Sequence, residues 1–257
     1  MFNNRKLIEL PKKGKALVIT DIHGNIDDYN RFMDIWENFR DRDNHLIQTG
    51  DLIHGMDLKN DKSIEILDSA KYKFENSKNF HLLLGNHEWS LISKTEIYKA
   101  GINLTLNFET LLKQKFGIQW EDKLENYIKF FKKLPVAVKT GNKVFISHAG
   151  PPRYIDDIDE IIQITNAGYS KNRKLFELLW NRYGDYTKED IDSFLENIGC
   201  NAMIVGHTPV NGVELTNERQ LVVASSYTMG KRAYVKLDLE SKIKNGKDLL
   251  KMVKYLD

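Results

Sequence analysis

Three short apolar runs, Lys15-Ala16-Leu17-Val18-Ile19-Thr20, His45-Leu46-Ile47-Gln48-Thr49 and Phe80-His81-Leu82-Leu83-Leu84, each end in a polar segment rich in Asp, His, Asn and Gly. Those segments are Asp21-Ile22-His23-Gly24, Gly50-Asp51 and Gly85-Asn86-His87-Glu88. Two later runs end the same way, at His148-Ala149-Gly150 and Gly206-His207-Thr208. Short continuous apolar runs bounded by such segments read as buried strands. Between the first three lie stretches 27–41 and 64–74 with helical spacing, Phe32, Ile35, Trp36 and Phe39 sharing one face of the first. A β-α-β-α-β order calls for a largely parallel sheet, and chemistry in such sheets collects at the strand ends. His45 and His81, within the runs, read as structural or surface histidines.

The stretch from Glu88 to Leu134 reads as helical throughout, with breaks near Gly101 and Gly117, and Pro135 stops it. Val136–Lys139 and Lys143–Ser147, joined by Thr140-Gly141-Asn142, form a hairpin. Stretches 156–164 and 174–180 are helical candidates, and Thr187 with Asp190 makes a capping box for a helix over 188–197. Strands follow at 202–205, 221–224 and 233–239, and the tail 247–256 reads as a short amphipathic helix. The second half is richer in hairpin-like strands, which suggests two stacked sheets with helices outside. With 257 residues, 41% of them hydrophobic, one α/β domain over 1–257 with a helical insertion at about 88–134 is the simplest organisation.

The formal charge of +2 gives no basic excess of the kind nucleic-acid surfaces carry, and no run approaches the ~20 apolar residues of a membrane span. Met1 to Lys6 lacks the features of a signal peptide, and the single Cys200 excludes an intramolecular disulfide, so a cytoplasmic location is expected. Cys200 opens an apolar run and reads as a buried, inert thiol. The acidic run Asp156-Asp157-x-Asp159-Glu160 reads as a solvated helix start.

The polar segments share one chemistry. Two divalent cations held close together need a bridging carboxylate inside a mixed shell of Asp, His and Asn. Asp21 and His23, one residue apart, can aim at one ion; Asp51 is suited to bridging; Asn86 offers a neutral carbonyl; His148 and His207 add imidazoles. Manganese comes first, with iron or zinc fitting the same donors. Such a pair, about 3.5–4 Å apart, can share a hydroxide and clamp a phosphate. His87, beside Asn86, would be the general acid that protonates the leaving alkoxide.

These residues resemble the calcineurin-like metallophosphoesterases, and within them the phosphoprotein phosphatase group, over Leu17 to about Leu239. That group carries Gly-Asp-x-His-Gly, Gly-Asp-x-x-Asp-Arg-Gly, Gly-Asn-His-Glu and His-Gly-Gly. Here Asp21-Ile22-His23-Gly24 keeps most of the first, with Thr20 for its leading Gly; Gly85-Asn86-His87-Glu88 matches in full; Ser147-His148-Ala149-Gly150 is close. Val205-Gly206-His207-Thr208-Pro209 is similar to the late histidine motif of bacterial members, the serine/threonine phosphatases and dinucleoside tetraphosphatases. The resemblance implies an αββα sandwich of two mixed sheets flanked by helices. It also implies Asp21, His23 and Asp51 on a first ion, and Asp51, Asn86, His148 and His207 on a second. Leu178-Leu179-Trp180-Asn181-Arg182 looks like the bacterial Leu-Trp-x-Arg segment, whose arginine clamps the substrate phosphate; Asn86 would bind there too.

The second motif departs from the pattern: His54 stands where the family has Asp, and Gly55 where it has Arg. The family Asp orients the catalytic histidine, so a neutral His54 would do this without a full charge. Gly55 lacks a phosphate-holding guanidinium, leaving room for a second ester group, and Arg153 or Lys59 could substitute. The expected function is therefore a dinuclear metal-dependent phosphatase of phosphomonoesters, phosphoproteins among them, using a metal-bridging hydroxide and His87. The alternatives are a dinucleoside tetraphosphate hydrolase or phosphodiesterase, and a non-catalytic scaffold of the same fold. The partners expected are a phosphorylated small molecule, a nucleotide or a phosphoprotein. Aromatic residues Phe108, Phe116, Trp120, Tyr127, Phe130 and Phe131 could stack on a substrate ring, but core is the preferred reading.

Overall fold

The computed structural model describes residues 6–55 and 57–256; the leader-free reading of Met1–Arg5 lies outside them. Along the chain run β1 (Leu7–Leu10), β2 (Lys15–Ile19), α1 (Ile26–Phe39), β3 (His45–Gln48), α2 (Ser63–Asn76) and β4 (Phe80–Leu82). Next come α3 (Asn86–Ser93), β5 (Tyr98–Lys99), β6 (Ile102–Asn103), α4 (Leu104–Phe116), a 3-10 turn (Gly117–Gln119) and α5 (Trp120–Phe131). Then follow β7 (Ala137–Thr140), β8 (Val144–Ser147), α6 (Ile158–Ile162), α7 (Arg173–Trp180) and α8 (Lys188–Asn197). The chain closes with β9 (Ala202–Val205), β10 (Val213–Thr216), β11 (Gln220–Val223), β12 (Ala233–Asp238), α9 (Gly246–Leu250) and β13 (Val253–Tyr255).

Two mixed sheets result. One has the order β13-β12-β2-β3-β4, the other β1-β7-β8-β9-β11-β10. In the first, β2, β3 and β4 are parallel and β12 returns antiparallel. In the second, β8, β9 and β11 are parallel, while β7 pairs antiparallel with β8.

Strand alternation explains the layering. Ala16 and Val18 of β2 join Ala202 and Ile204 of β9 in the cluster between the sheets. Leu17, Ile19, Met203 and Val205 point the other way, into the clusters shared with the helices. Both faces of each central strand are therefore buried, which is why these runs read as continuous rather than alternating. The protein is an αββα sandwich of two mixed sheets flanked by helices. Among the described residues no helix is long and apolar enough to cross a membrane.

Four segments differ from the sequence reading. Residues 88–134 are not helical throughout, because Tyr98–Lys99 and Ile102–Asn103 form a small antiparallel hairpin. Its turn residues Ala100 and Gly101 both have positive φ, a geometry no helix tolerates. The tail is helical only over α9; Val253–Tyr255 then pairs with β12. Strands β1 and β10 were not expected at all. Of the six aromatic residues in the middle segment, Phe108, Tyr127, Phe130 and Phe131 are buried in the core, and Phe116 and Trp120 pack against it. Asp157, in the acidic run, caps α6 by accepting from the Asp159 and Glu160 N–H groups.

His45 and His81 sit side by side on β3 and β4, rings stacked 5.2 Å apart, with His45 Nδ1 3.1 Å from His81 Nε2. Desolvation, aided by His45, brings His81 down to about 3. An unfolded histidine titrates near ~6.5, so the unfolded chain takes up this proton first as pH falls. The stabilising contribution is present above pH ~6.5 and is lost toward the folded value. Replacing His81→Phe should shrink the stability lost between pH 6.5 and 4 by about 2 kcal/mol, allowing for partial exposure of the ring. Urea midpoints of parent and variant at three pH values check this, and parallel curves would refute it.

Candidate metal centre

The parallel strands β2, β3 and β4 end side by side, so Asp21, Asp51 and Asn86, each within a few residues of a strand end, are gathered at one edge. From the other sheet, His148 directly follows β8 and His207 lies two residues beyond β9. The loops are bonded to one another. Ile22 and His23 N–H groups both donate to the Asp51 carbonyl at 2.9 Å, and Gly24 N–H donates to Leu52 O at 2.9 Å. His207 N–H donates to Asp21 Oδ1 at 3.1 Å. His23, Asp51, His54 and His207 all hold positive φ, between 49° and 70°, a costly backbone for residues with a Cβ.

Glu88 holds this arrangement from beneath. Its buried carboxylate accepts from Asp51 N–H (2.9 Å), Leu52 N–H (2.8 Å) and Gly85 N–H (3.2 Å), tying the β3 loop to the start of α3. The fit is close: a Cβ at Gly85 would lie 2.3 Å from Asp51 Oδ1 and 2.7 Å from Glu88 Oε2. Asp51 Oδ1 accepts in turn from His87 N–H at 3.0 Å, within the first turn of α3, where the helix dipole favours a carboxylate.

Two triads of donor atoms meet here, His23–Asp51–His87 and Asp51–His148–His207, each with ligand atoms within 4.8 Å of one another. Asp51 belongs to both. Asp51 Oδ2 lies 3.5 Å from His148 Nε2 and 3.8 Å from His23 Nε2, and Asp21 Oδ2 lies 3.9 Å from His23 Nε2. The imidazoles are oriented by backbone carbonyls. His148 Nδ1 is 3.1 Å from Thr49 O and His23 Nδ1 is 3.2 Å from Ile53 O. A carbonyl only accepts, so each Nδ1 carries the proton and each Nε2 turns a lone pair to the centre. His207 bonds the Trp180 backbone, and its Nδ1 lies 3.2 Å from His148 Nε2.

The donor set fits divalent cations. Asn86 Oδ1 sits 2.7 Å from His148 Nε2, acceptor facing acceptor; only a turned-over amide would donate, to Asp51 Oδ2 at 3.0 Å. Burial, then Asp21 and Glu88, push the Asp51 carboxyl well above the usual range, and burial brings His148 down to about 4. Converging lone pairs and crowded carboxylates are what a positive ion relieves.

His87 is close enough to join the first triad, but its Nδ1 pairs with a side chain, His54 Nδ1, at 3.0 Å. His54 is buried, meets the Phe108 ring of α4 edge-on at 5.6 Å, and leaves its Nε2 without a partner among the described residues. Burial brings His54 down to about 3, so it is neutral at physiological pH.

A pocket of about 470 Å³ opens over the centre, lined by Asp21, His23, Asp51, Asn86, His87 and His207 together with Arg182. His148 lies below it, fully buried. Arg153 and Lys59 do not line it; Arg153 is drawn away by Glu177 at 3.0 Å. Nor is there room at position 55. A Cβ there would lie 2.7 Å from Asp61 Cγ, and Asp61 Oδ2 accepts from Gly55 N–H at 2.9 Å. The vacancy expected beside Gly55 is filled by a carboxylate that no motif announced. Tyr98, Lys99 and Tyr227 also line the pocket and had no sequence signal, because they come from a hairpin and a loop of ordinary composition. Cys200 is buried away from the pocket, its thiol pushed up to about 11 by desolvation.

A model of the calcineurin-like phosphoesterase family matches residues 14–211. A "probable serine/threonine-protein phosphatase" of Encephalitozoon cuniculi is 25% identical over 225 residues, 80% of this chain and 45% of that protein. The chain thus spans about half the length of that relative. A serine/threonine phosphatase of Saccharomyces cerevisiae superposes with a TM-score of 0.70 at 20% identity, over 90% of this chain and 76% of that one. The cold-active protein-tyrosine phosphatase of a psychrophilic Shewanella gives 0.63 at 17% identity, over 98% and 84%. At these identities the structural likeness is one of fold.

Glu88→Gln keeps the shape of the clamp but turns an amide NH₂ toward backbone N–H groups. It should cost about 2–3 kcal/mol in urea denaturation and weaken divalent-ion uptake along with it. A variant matching the parent in both measurements would show that the clamp is not what holds Asp51.

Proposed function

We propose, since the chain belongs to the calcineurin-like phosphoesterase family, a family of phosphoric ester hydrolases, that it is a dinuclear metal-dependent phosphatase of phosphomonoesters, with phosphoproteins among its substrates. The observation that carries this reading is the convergence of carbonyl-oriented imidazoles and an amide on one buried carboxylate, Asp51, shared by two triads. The names of the relatives, serine/threonine phosphatases, support the phosphoprotein reading.

Asp21, His23 and Asp51 would hold one divalent ion, and Asp51, Asn86, His148 and His207 the second. Manganese, iron and zinc all suit these donors. Bound there, the ions supply a nucleophile at neutral pH and a clamp on phosphate oxygens. Arg182, on the pocket wall with Nη2 3.4 Å from His207 O, binds the phosphate, and Asn86 borders the same space. His87 gives the proton to the leaving oxygen from Nε2 while Nδ1–H donates to neutral His54 Nδ1. His54 thus positions His87 and supports its protonated form as a dipole rather than as a charge. Burial, then the neighbouring imidazoles of His23 and His54, hold His87 well below the ordinary histidine range. Its acid form therefore grows scarce as pH rises, and the activity optimum lies on the acid side. Because Asp61 fills the space beside Gly55, nothing at that position favours a diester or dinucleotide over a monoester.

A manganese-reconstituted panel of an aryl phosphomonoester, a bis-aryl diester, phosphopeptides and a dinucleoside tetraphosphate should show turnover of monoesters first; turnover of the diester alone would reject the proposal. Asp51→Asn should abolish calorimetric manganese uptake at both positions. His87→Ala should lower kcat about 10²–10⁴-fold on alkyl phosphates and far less on nitrophenyl phosphate. A carboxylate beside His87 favours the imidazolium, so His54→Asp should carry the alkaline limb of the pH–kcat profile upward by about 1 unit or more. Profiles that overlay would dismiss the pairing of His54 with His87.

A further inference from the structure

Among the described residues two cations line the pocket, Arg182 and Lys99, against the carboxylates Asp21, Asp51 and Asp185. Arg182 lies two residues beyond α7. Lys99 comes from the β5–β6 hairpin, where it faces Ile102 across the Ala100–Gly101 turn. The hairpin is anchored at its base. Ile97 and Leu104 are buried, Ile97 N–H donates to Thr105 Oγ1 at 3.0 Å, and Leu104 N–H donates to Ile97 O at 2.9 Å. Its tip is exposed, and among the described residues the Lys99 ammonium has no ion-pair or hydrogen-bond partner.

We propose that Lys99 is the second cation that holds the substrate phosphate, together with Arg182 on the lining of the same pocket, and that it selects dianionic phosphomonoesters. The inference rests on the hydrolase reading of this pocket. The two cations that sequence offered as replacements for the missing guanidinium are elsewhere, and position 55 itself is closed by Asp61. Among the described residues, Lys99 is the lysine that lines the pocket. A lysine grips phosphate as a point charge rather than as a fork, so its pull scales with the charge of the ester and falls with salt. A monoester dianion gains more from two flanking cations than a diester monoanion does. Because the ammonium touches non-bridging oxygens in ground and transition states alike, its loss is read in KM rather than in kcat.

The test is calorimetric titration of inorganic phosphate into the manganese-loaded parent, Lys99→Met and Lys99→Arg, with ester kinetics alongside. Lys99→Met should weaken phosphate binding about tenfold or more, with manganese uptake and the thermal midpoint unchanged, and Lys99→Arg should recover to within about threefold. KM for an aryl phosphomonoester should rise in step, with kcat within about twofold. Phosphate affinity of Lys99→Met within about twofold of the parent overturns the proposal, as does a parent that takes up manganese but no phosphate. Ester turnover is read separately. A parent that binds phosphate through Lys99 and cleaves nothing refutes the hydrolase reading alone, and full turnover with an indifferent Lys99 refutes this inference alone.

Discussion

A carboxylate sealed from water organises this molecule. Glu88 accepts three backbone N–H groups from two loops, and each of those donors belongs to a residue that would otherwise be an orphan at a strand end or a helix start. Through that one group the β3 loop is locked to α3, Asp51 is kept in a left-handed backbone, and the His87 ring stands beside the centre. Burying a charge is tolerable only when it is fully hydrogen-bonded, and Glu88 meets that condition with backbone donors that cannot swing away. The apolar sandwich fixes where the strands end; Glu88 fixes what their ends present.

The centre itself works against stability. Four of its residues hold positive φ at a cost of about 1 kcal/mol or more each. Asp21 and Glu88 both repel a charge on Asp51, and the imidazoles are stripped of water. These are the marks of a site arranged for an external partner rather than for its own repose. The pairing of His54 with His87 follows the same logic. It gives up a carboxylate's charge in return for a neutral support buried under Phe108.

Much of this was legible in the chain. Strands β2, β3 and β4 announce themselves because both of their faces are buried, and His148 and His207 because each follows an apolar run. What could not be read lacked a local period. Strand β10 is only partly buried, β5 and β6 have two residues each, and β13 follows a helix turn. Within the site, Glu88 stands in a recognisable motif and caps its own helix through Gly85, yet its other two backbone partners, Asp51 and Leu52, lie at positions only folding brings to it. Asp61, Lys99 and Tyr227 belong to no motif. Arg153 looked suitable by its place after Pro151-Pro152, and only the tertiary pairing with Glu177, twenty-four residues on, disqualifies it.

The carboxylate of Asp61 also constrains which substitutions position 55 can accept. It satisfies Gly55 N–H, Ser63 N–H and the Ser63 hydroxyl, and it sits where any side chain at 55 would begin. An arginine introduced at 55 meets a wall; removing Asp61 first strands two backbone donors. The two positions are therefore coupled: a side chain at 55 has to displace Asp61, and Asp61 in place leaves that corner of the site with a negative rather than a positive charge.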